Sequence, residues 1–206
     1  MTSRERALAG AILCGGASRR MGWDKTQLTI DGTTLLERTV IRLRAVADPV
    51  ILAAGEKPLK LDACLTVADA SPGQGPLGGL VAVLRTTPHQ LCAVVAVDMP
   101  DLDAGLLRWL ADSWGGEDVV VPVSARGPEP LHAVYAVSAL PAAEQLLIRA
   151  QLSMRTLLAA LRVRLVDARA VSRPDVAARF AINLNRPEDV TAWQRDRSGA
   201  SPPPPA

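Results

Sequence analysis

Aromatic side chains are scarce in this 206-residue chain, which has four Trp, one Tyr and one Phe. That scarcity excludes a single-strand nucleic-acid binder built on rows of stacking rings. Cysteine is sparse as well: Cys14, Cys64 and Cys92 stand far apart, with no CxxC and no Cys/His cluster. A disulfide framework and a structural zinc site are thereby excluded, and a reduced, cytoplasmic compartment fits best. Neither sign of charge dominates, since 23 Lys and Arg against 21 Asp and Glu leave a net +2. Bulk attraction to nucleic acid or to a membrane is therefore not what the composition serves. Long apolar runs are missing too; Leu91 to Val97 is far too short to span a bilayer. Arg4 and Arg6 ahead of Ala7 to Cys14 imitate a short signal peptide. That run is minimal, however, and Leu13 is too large for a lipoprotein cleavage site, so a buried first strand is expected instead.

Aliphatic residues are abundant, with 49% of the chain hydrophobic, enough for one domain with a sizeable core. We expect that domain over residues 1–194, followed by a polar, proline-rich disordered tail over 195–206. Short apolar runs predict buried strands at Leu8 to Cys14, Val50 to Ala54, Cys64 to Ala68, Leu91 to Val97, Val119 to Val123 and Arg164 to Asp167. Between them, Leu36, Val40, Leu43 and Ala47 recur at helical spacing, and Gly75-Pro76 opens a second helix. Asp103 and Ser153 are expected to cap further helices, and Asn185 with Glu188 suggests a last one. This alternation predicts an α/β protein, a Rossmann-like three-layer sandwich on a mostly parallel sheet. Ser124 to Pro130 leaves no room for a crossover helix, so an antiparallel strand is expected near 131–137.

The strongest chemical signal is the segment Leu13-Cys14-Gly15-Gly16-Ala17-Ser18-Arg19-Arg20-Met21-Gly22-Trp23-Asp24-Lys25, directly after the first strand. Paired glycines let the backbone approach an anion, and two arginines and a lysine supply cations, a combination suited to a polyphosphate. It is not a Walker A loop, because the Gly-Lys-Thr ending is absent. The plainer alternative is a solvated glycine-rich turn. Asp98 ends the run Leu91 to Val97 and is placed either to hold Mg²⁺ or merely to start a loop. Asp69 stands at a similar strand end, as a ribose contact or a simple turn residue. Asn183 and Asn185 would share one side if extended, although Asn185 could equally be a helix cap. His132 is expected in the core and His89 in an exposed loop. Gly73 to Gly78 matches GxGxxG, the outline of a dinucleotide-binding turn, but Asp69 to Pro72 separate it from its strand.

These segments, in this order, resemble the molybdenum cofactor guanylyltransferase family, nucleotidyltransferases of the nucleotide-diphospho-sugar transferase fold. Four further pieces carry the likeness beside the Leu13-to-Lys25 loop: Gly75-Pro76-Leu77-Gly78-Gly79-Leu80, Val97-Asp98-Met99-Pro100, Pro130-Leu131-His132-Ala133-Val134-Tyr135 and Asn183-Leu184-Asn185-Arg186-Pro187-Glu188-Asp189. The resemblance implies transfer of GMP from GTP to the molybdenum–molybdopterin cofactor, with release of pyrophosphate and a requirement for Mg²⁺. On that basis Leu13, Cys14, Gly15, Gly16 and Gly78 lie along the nucleotide, Asp69 meets the nucleoside and Lys25 the phosphates. Asp98 holds the metal, Asn185 is a second metal ligand or a pterin contact, and Arg20 acts with Lys25 and Asp98 in catalysis. Arg155, Asn183 and Asn185 are the pterin-side candidates. Cofactor-insertion proteins and molybdoenzyme apoproteins are the implied transient partners. Related cytidylyltransferases tend to show Ala-Ala-Gly in place of Cys14-Gly15-Gly16 and Asp-Gln-Pro in place of Asp98-Met99-Pro100, which favours guanine. The other readings are a cytidylyltransferase or sugar-phosphate nucleotidyltransferase, a non-catalytic nucleotide- or cofactor-binding module, and a dinucleotide oxidoreductase.

Overall fold

A computed structural model describes residues 6–15, 25–55, 59–68, 73–171 and 179–198. Its centre is strand β1, Leu8–Leu13, in which every residue is buried. Its side chains alternate between the two faces: Leu8 and Ile12 face one layer, Ala9, Ala11 and Leu13 the other. Strand β6, Leu91–Ala96, pairs parallel on one side of β1 and β4, Val50–Ala53, parallel on the other. Beyond β4 lies β5, Leu65–Val67, a short edge strand with Leu65 exposed.

The expected antiparallel strand is present as β9, His132–Ala136, inserted between β6 and β7, Val119–Ser124. A short β8, Gly127–Pro128, folds back on β7, and β10, Val163–Asp167, closes the far edge in parallel with β7. The eight-stranded sheet therefore runs β10-β7-β9-β6-β1-β4-β5, with β8 beside β7. Apart from β9 and β8, its strands point the same way.

Helices α1, Leu35–Arg44, and α3, Ala104–Asp112, pack on one face of the sheet. Helices α2, Gly75–Thr86, α4, Leu140–Ile148, and α5, Met154–Ala160, cover the other, giving the three layers expected. Close approach of α1 depends on Gly10, where an added Cβ would stand 2.7 Å from Leu43. Thr34 and Glu37 form a reciprocal capping box at the start of α1, and Asp103 accepts from the Leu106 N–H at the start of α3. Ser153 holds the cap position of α5 without making a side-chain bond to it.

Three features were not expected. Helix α4 follows β9 almost at once, with proline in its first turn. A two-stranded hairpin, β2 Thr29–Ile30 and β3 Thr33–Thr34, turns at Asp31-Gly32, both residues with positive φ. Asp-Gly between β-branched residues is the sequence signal for such a turn. Finally, the last helix, α6, spans Pro187–Ser198, so ordered helix runs past the expected tail boundary at residue 195. The reason is tertiary: Arg197 reaches Asp101, with an N–O distance of 3.0 Å. Residues 199–206 lie outside the described residues.

Candidate active site

The chain winds from β1 outward through β4 to β5, then crosses back to place β6 on the other side of β1. That reversal opens a crevice above the carboxyl ends of β1 and β6, where open α/β sheets bind ligands. Cys14 and Gly15 leave β1 there, and Val97-Asp98 leave β6 beside them. The sheet consumes part of the expected cradle: the Val97 N–H donates to Leu13 O at 3.3 Å and the Cys14 N–H to Ala53 O at 2.9 Å. The first backbone groups beyond the ladder are the Cys14 carbonyl and those of Gly15. Gly16, Arg20 and Asp69 lie outside the described residues.

Lys25 and Asp98, far apart in sequence, meet over this crevice. The ammonium donates to Asp98 Oδ2 at 2.7 Å and to Asn185 Oδ1 at 2.8 Å. Both charged side chains are largely sheltered, at 12% and 17% exposure. Three separate segments are fixed to make this meeting. Lys25 opens a short 3-10 turn leading into the β2–β3 hairpin. Ile30 and Leu35 from that region pack with Leu184 and Trp193 of the C-terminal segment in a small satellite core. The Leu184 N–H donates to Asp98 O at 2.8 Å, tying the C-terminal segment to the loop after β6. Arg42 of α1 holds the same loop from beneath, donating to Pro100 O at 2.9 Å and Leu102 O at 3.2 Å.

The Asn185 side chain turns toward the crevice and meets Lys25. Its side-chain oxygen serves Lys25, while Asp189 Oδ2 takes the Asn185 and Arg186 N–H groups, both at 2.8 Å. Asp189, in the first turn of α6, thus reaches back to the two backbone N–H groups before the helix, and the Asn185 side chain does not bond to the helix. Asn183 does not join the cluster; its amide turns back to Ala181 O at 3.4 Å. Arg155 is exposed in the first turn of α5, on the sheet face covered by α2 and α4, and does not meet the Lys25 cluster. Gly78 is buried inside α2, where a Cβ would come within 2.7 Å of Gln74 Cβ. The GxGxxG segment follows β5 at the sheet edge, away from the β1/β6 crevice, which removes the basis for a dinucleotide fingerprint.

His132 lies at the start of β9, paired in register with Val95. It is fully buried, its ring 4.9 Å edge-on from Phe180, and neither ring nitrogen has a hydrogen-bond partner of good geometry. Burial pushes its pKa down to about 4, with Asp103 opposing the shift only in part. The expected core histidine is therefore a neutral ring.

Residues 10–167 match the MobA-like NTP transferase domain. The chain belongs to that family. It is 41% identical to a probable molybdenum cofactor guanylyltransferase from Opitutus terrae, over 92% of this chain and 96% of the relative. A second protein so named, from Carboxydothermus hydrogenoformans, is 30% identical over 88% of this chain and 92% of its own. Among solved structures, molybdopterin-guanine dinucleotide biosynthesis protein A from Archaeoglobus fulgidus superposes with a TM-score of 0.76 at 25% identity, covering 93% of this chain and 99% of that one. The protein is accordingly a nucleotidyltransferase. In this MobA-like transferase the crevice residues Lys25 and Asp98 fall inside the matched region, whereas Asn185 comes from the segment beyond it.

Sequence reasoning missed the residues that hold this arrangement rather than those that compose it. Arg42 and Asp101 carry no local signature, since an arginine on a helix and an acid in a loop are ordinary. The Asp31-Gly32 turn, by contrast, carries a local signal in the sequence.

Proposed function

We propose that the protein transfers GMP from GTP to the molybdenum–molybdopterin cofactor and releases pyrophosphate, with Mg²⁺ held at Asp98 and Asn185. The observation carrying this reading is the Lys25 ammonium, lodged between one carboxylate oxygen and one amide oxygen at the switch point of the sheet. An ammonium there is a stand-in cation, so the donor set accepts positive charge. Two hard oxygen ligands fit Mg²⁺, which commonly takes one or two protein oxygens and completes its shell with phosphates and water. Among the described residues no group of three or more His, Cys, Asp or Glu converges on such a centre, so phosphate oxygens supply the rest.

When bound, the metal would offset charge on the α- and β-phosphates of the nucleotide. The acceptor brings its own phosphate, whose oxygen attacks the α-phosphorus of GTP while the bond to the bridging oxygen of the leaving pyrophosphate breaks. The protein need not create a nucleophile; its residues align two anions and neutralise their repulsion. Lys25 moves from Asp98 to the phosphates, Asp98 and Asn185 keep the cation in place, and the Gly15 loop receives the nucleotide. Arg20 and Asp69 are assigned to phosphate and nucleoside by resemblance alone, and Arg155 and Asn183 to the pterin side. Asn185 is given to the metal because it already shares the Lys25 ammonium with Asp98.

A cytoplasmic site of action and transient contact with cofactor-insertion proteins and molybdoenzyme apoproteins belong to the same reading. No helix among the described residues is long and apolar enough to cross a membrane. Pyrophosphate release measured with each of the four nucleoside triphosphates, with and without the molybdopterin cofactor, tests the proposal. Turnover should require GTP and cofactor together; equal or faster turnover with CTP overturns the base assignment, and release without acceptor overturns the transfer.

A further inference from the structure

Helix α6 is unusually polar for an element that delivers a site residue. Within Pro187–Ser198 the buried side chain is Trp193, with Val190 half-buried, and the remainder of the described face is exposed or partly so. So little apolar burial does not hold a helix in place by itself. Beside the packing of Trp193 in the satellite core, it is secured by Asp101, three residues beyond Asp98 on the same loop.

The Asp101 carboxylate is 10% exposed, accepts hydrogen bonds from helix α6 and lies within ion-pair distance of Arg179 at the other end of the C-terminal segment. Trp193 Nε1 donates to Oδ2 at 2.7 Å and Arg197 to Oδ1 at 3.0 Å. Arg179, which precedes Asn185, places its Nε 3.5 Å from Oδ2 and bonds Asp196 at 2.8 Å with its terminal nitrogen. Arg197 also lies over the Trp193 ring, 5.0 Å from its centroid. The indole is a buried donor that needs a partner, and Asp101 is the partner it has. Beside Asp103, which caps α3, this loop thus carries two carboxylates with divided tasks. Asp98 faces the crevice, and Asp101 faces away from it and grips the helix whose start presents Asn185.

We propose that Asp101 is a positioning residue for the transfer reaction, acting through Asn185: by clamping Trp193, Arg197 and Arg179 it fixes where the Asn185 side chain stands relative to Lys25 and Asp98. The inference rests on the site reading above, in which Asn185 is part of the cation-holding pair. A purely structural clamp would lower stability without singling out one step or one partner. A positioning clamp lowers kcat, spares nucleotide affinity and loses its effect once Asn185 is gone.

The test is a double-mutant cycle on the full chain with Asp101→Ala, Asn185→Ala and both together. Each is measured for kcat, for GTP dissociation constant and for amide exchange across residues 187–198. Asp101→Ala should lower kcat about tenfold, as losing an orienting partner commonly does, with GTP affinity changed less than about twofold. Exchange in α6 should speed up at least about tenfold while β1 and β6 keep their protection. In the Asn185→Ala background the further loss from Asp101→Ala should shrink to within about twofold. Fully additive losses, or an unchanged kcat for Asp101→Ala, overturn the Asp101 role. An Asn185→Ala enzyme with wild-type kcat instead overturns the site reading itself, so the two failures are distinguishable. Should Asp101→Ala not fold, Asp101→Asn keeps an acceptor for the indole and removes the charge facing the two arginines. It should show a smaller kcat loss of about threefold with the same dependence on Asn185, and its absence overturns the proposal equally.

Discussion

Two carboxylate–cation clusters sit at opposite ends of the same sheet, and they are built differently. At the amino end, Asp118 precedes β7 and is saturated. It accepts from Ser138 at 2.6 Å, from the Arg162 backbone N–H at 3.0 Å, and from the Arg162 guanidinium at 3.1 and 2.8 Å. The Arg162 bonds, with help from Ser138, hold its carboxyl at about 2. At the carboxyl end, Asp98 receives one donor among the described residues, the Lys25 ammonium, which it shares with Asn185. A saturated carboxylate joins two strands and has no capacity left for a ligand. An unsaturated one, paired with a flexible lysine, can exchange its cation. Donor count, more than charge, separates the structural pair from the candidate site.

The widest separation should come from Asp98→Asn. Turnover is expected to fall about a thousandfold, the range seen when a principal electrostatic group is lost, with the melting temperature nearly unchanged. Steady-state kinetics beside thermal melting would expose the reverse pattern, a stability loss with activity intact, and that would end the contrast.

Acid should act on a third polar group, His132. Its folded pKa of about 4 lies below the ordinary 6.5, so the unfolded chain takes up a proton first. Stability is complete above pH 6.5 and is lost as pH falls from there toward 4, by about 3 kcal/mol in all. Urea midpoints followed across that window should flatten in His132→Leu; an equally steep loss there would place the acid lability elsewhere.

Asp118→Ala is expected to remove about 2 kcal/mol, moderated because the Arg162 side chain is 69% exposed and solvent screens the pair. Its GTP and metal affinities should match the parent protein by titration calorimetry. Any fall in those affinities would mean that the two clusters are coupled.

The smallest effect expected is also the most pointed. Lys25→Ala should weaken GTP binding, yet raise Mn²⁺ affinity in the absence of nucleotide by up to about tenfold, because no ammonium competes for the two oxygens. Manganese titration by electron paramagnetic resonance reads this directly. Weaker metal binding in that variant would contradict the stand-in role of the lysine.

Local patterning made most of the strands legible. Leu8 to Cys14 and Leu91 to Val97 are runs that only a strand buried on both faces requires, and β1 and β6 are such strands. Thr34 with Glu37 and Asp103 before α3 are caps whose partners lie within one turn, so their chemistry is complete in the sequence. Spacing alone did not fix which partner a polar side chain takes. Asn185 looked like a helix cap because nothing nearby shows that Asp189 takes the backbone donors. Asn183 looked like its companion, but it bonds Ala181 instead. The tail boundary at residue 195 failed because Arg197 is held by Asp101 across the fold.

By itself, the sequence determined the α/β alternation, the antiparallel insertion near residue 131 and the two strand ends, after β1 and β6, that border the crevice. Those properties arise from periodicity, short-range sterics and connection length, all local along the chain. Only the tertiary structure decided that Asp98 and Asn185 share the Lys25 ammonium, and that Asp101 adds its hydrogen bonds to the packing of Trp193 in holding the last helix. Both are contacts between segments at least 73 residues apart in the chain. Which polar group pairs with which then depends on the sheet order that brings them together, and no local spacing records it.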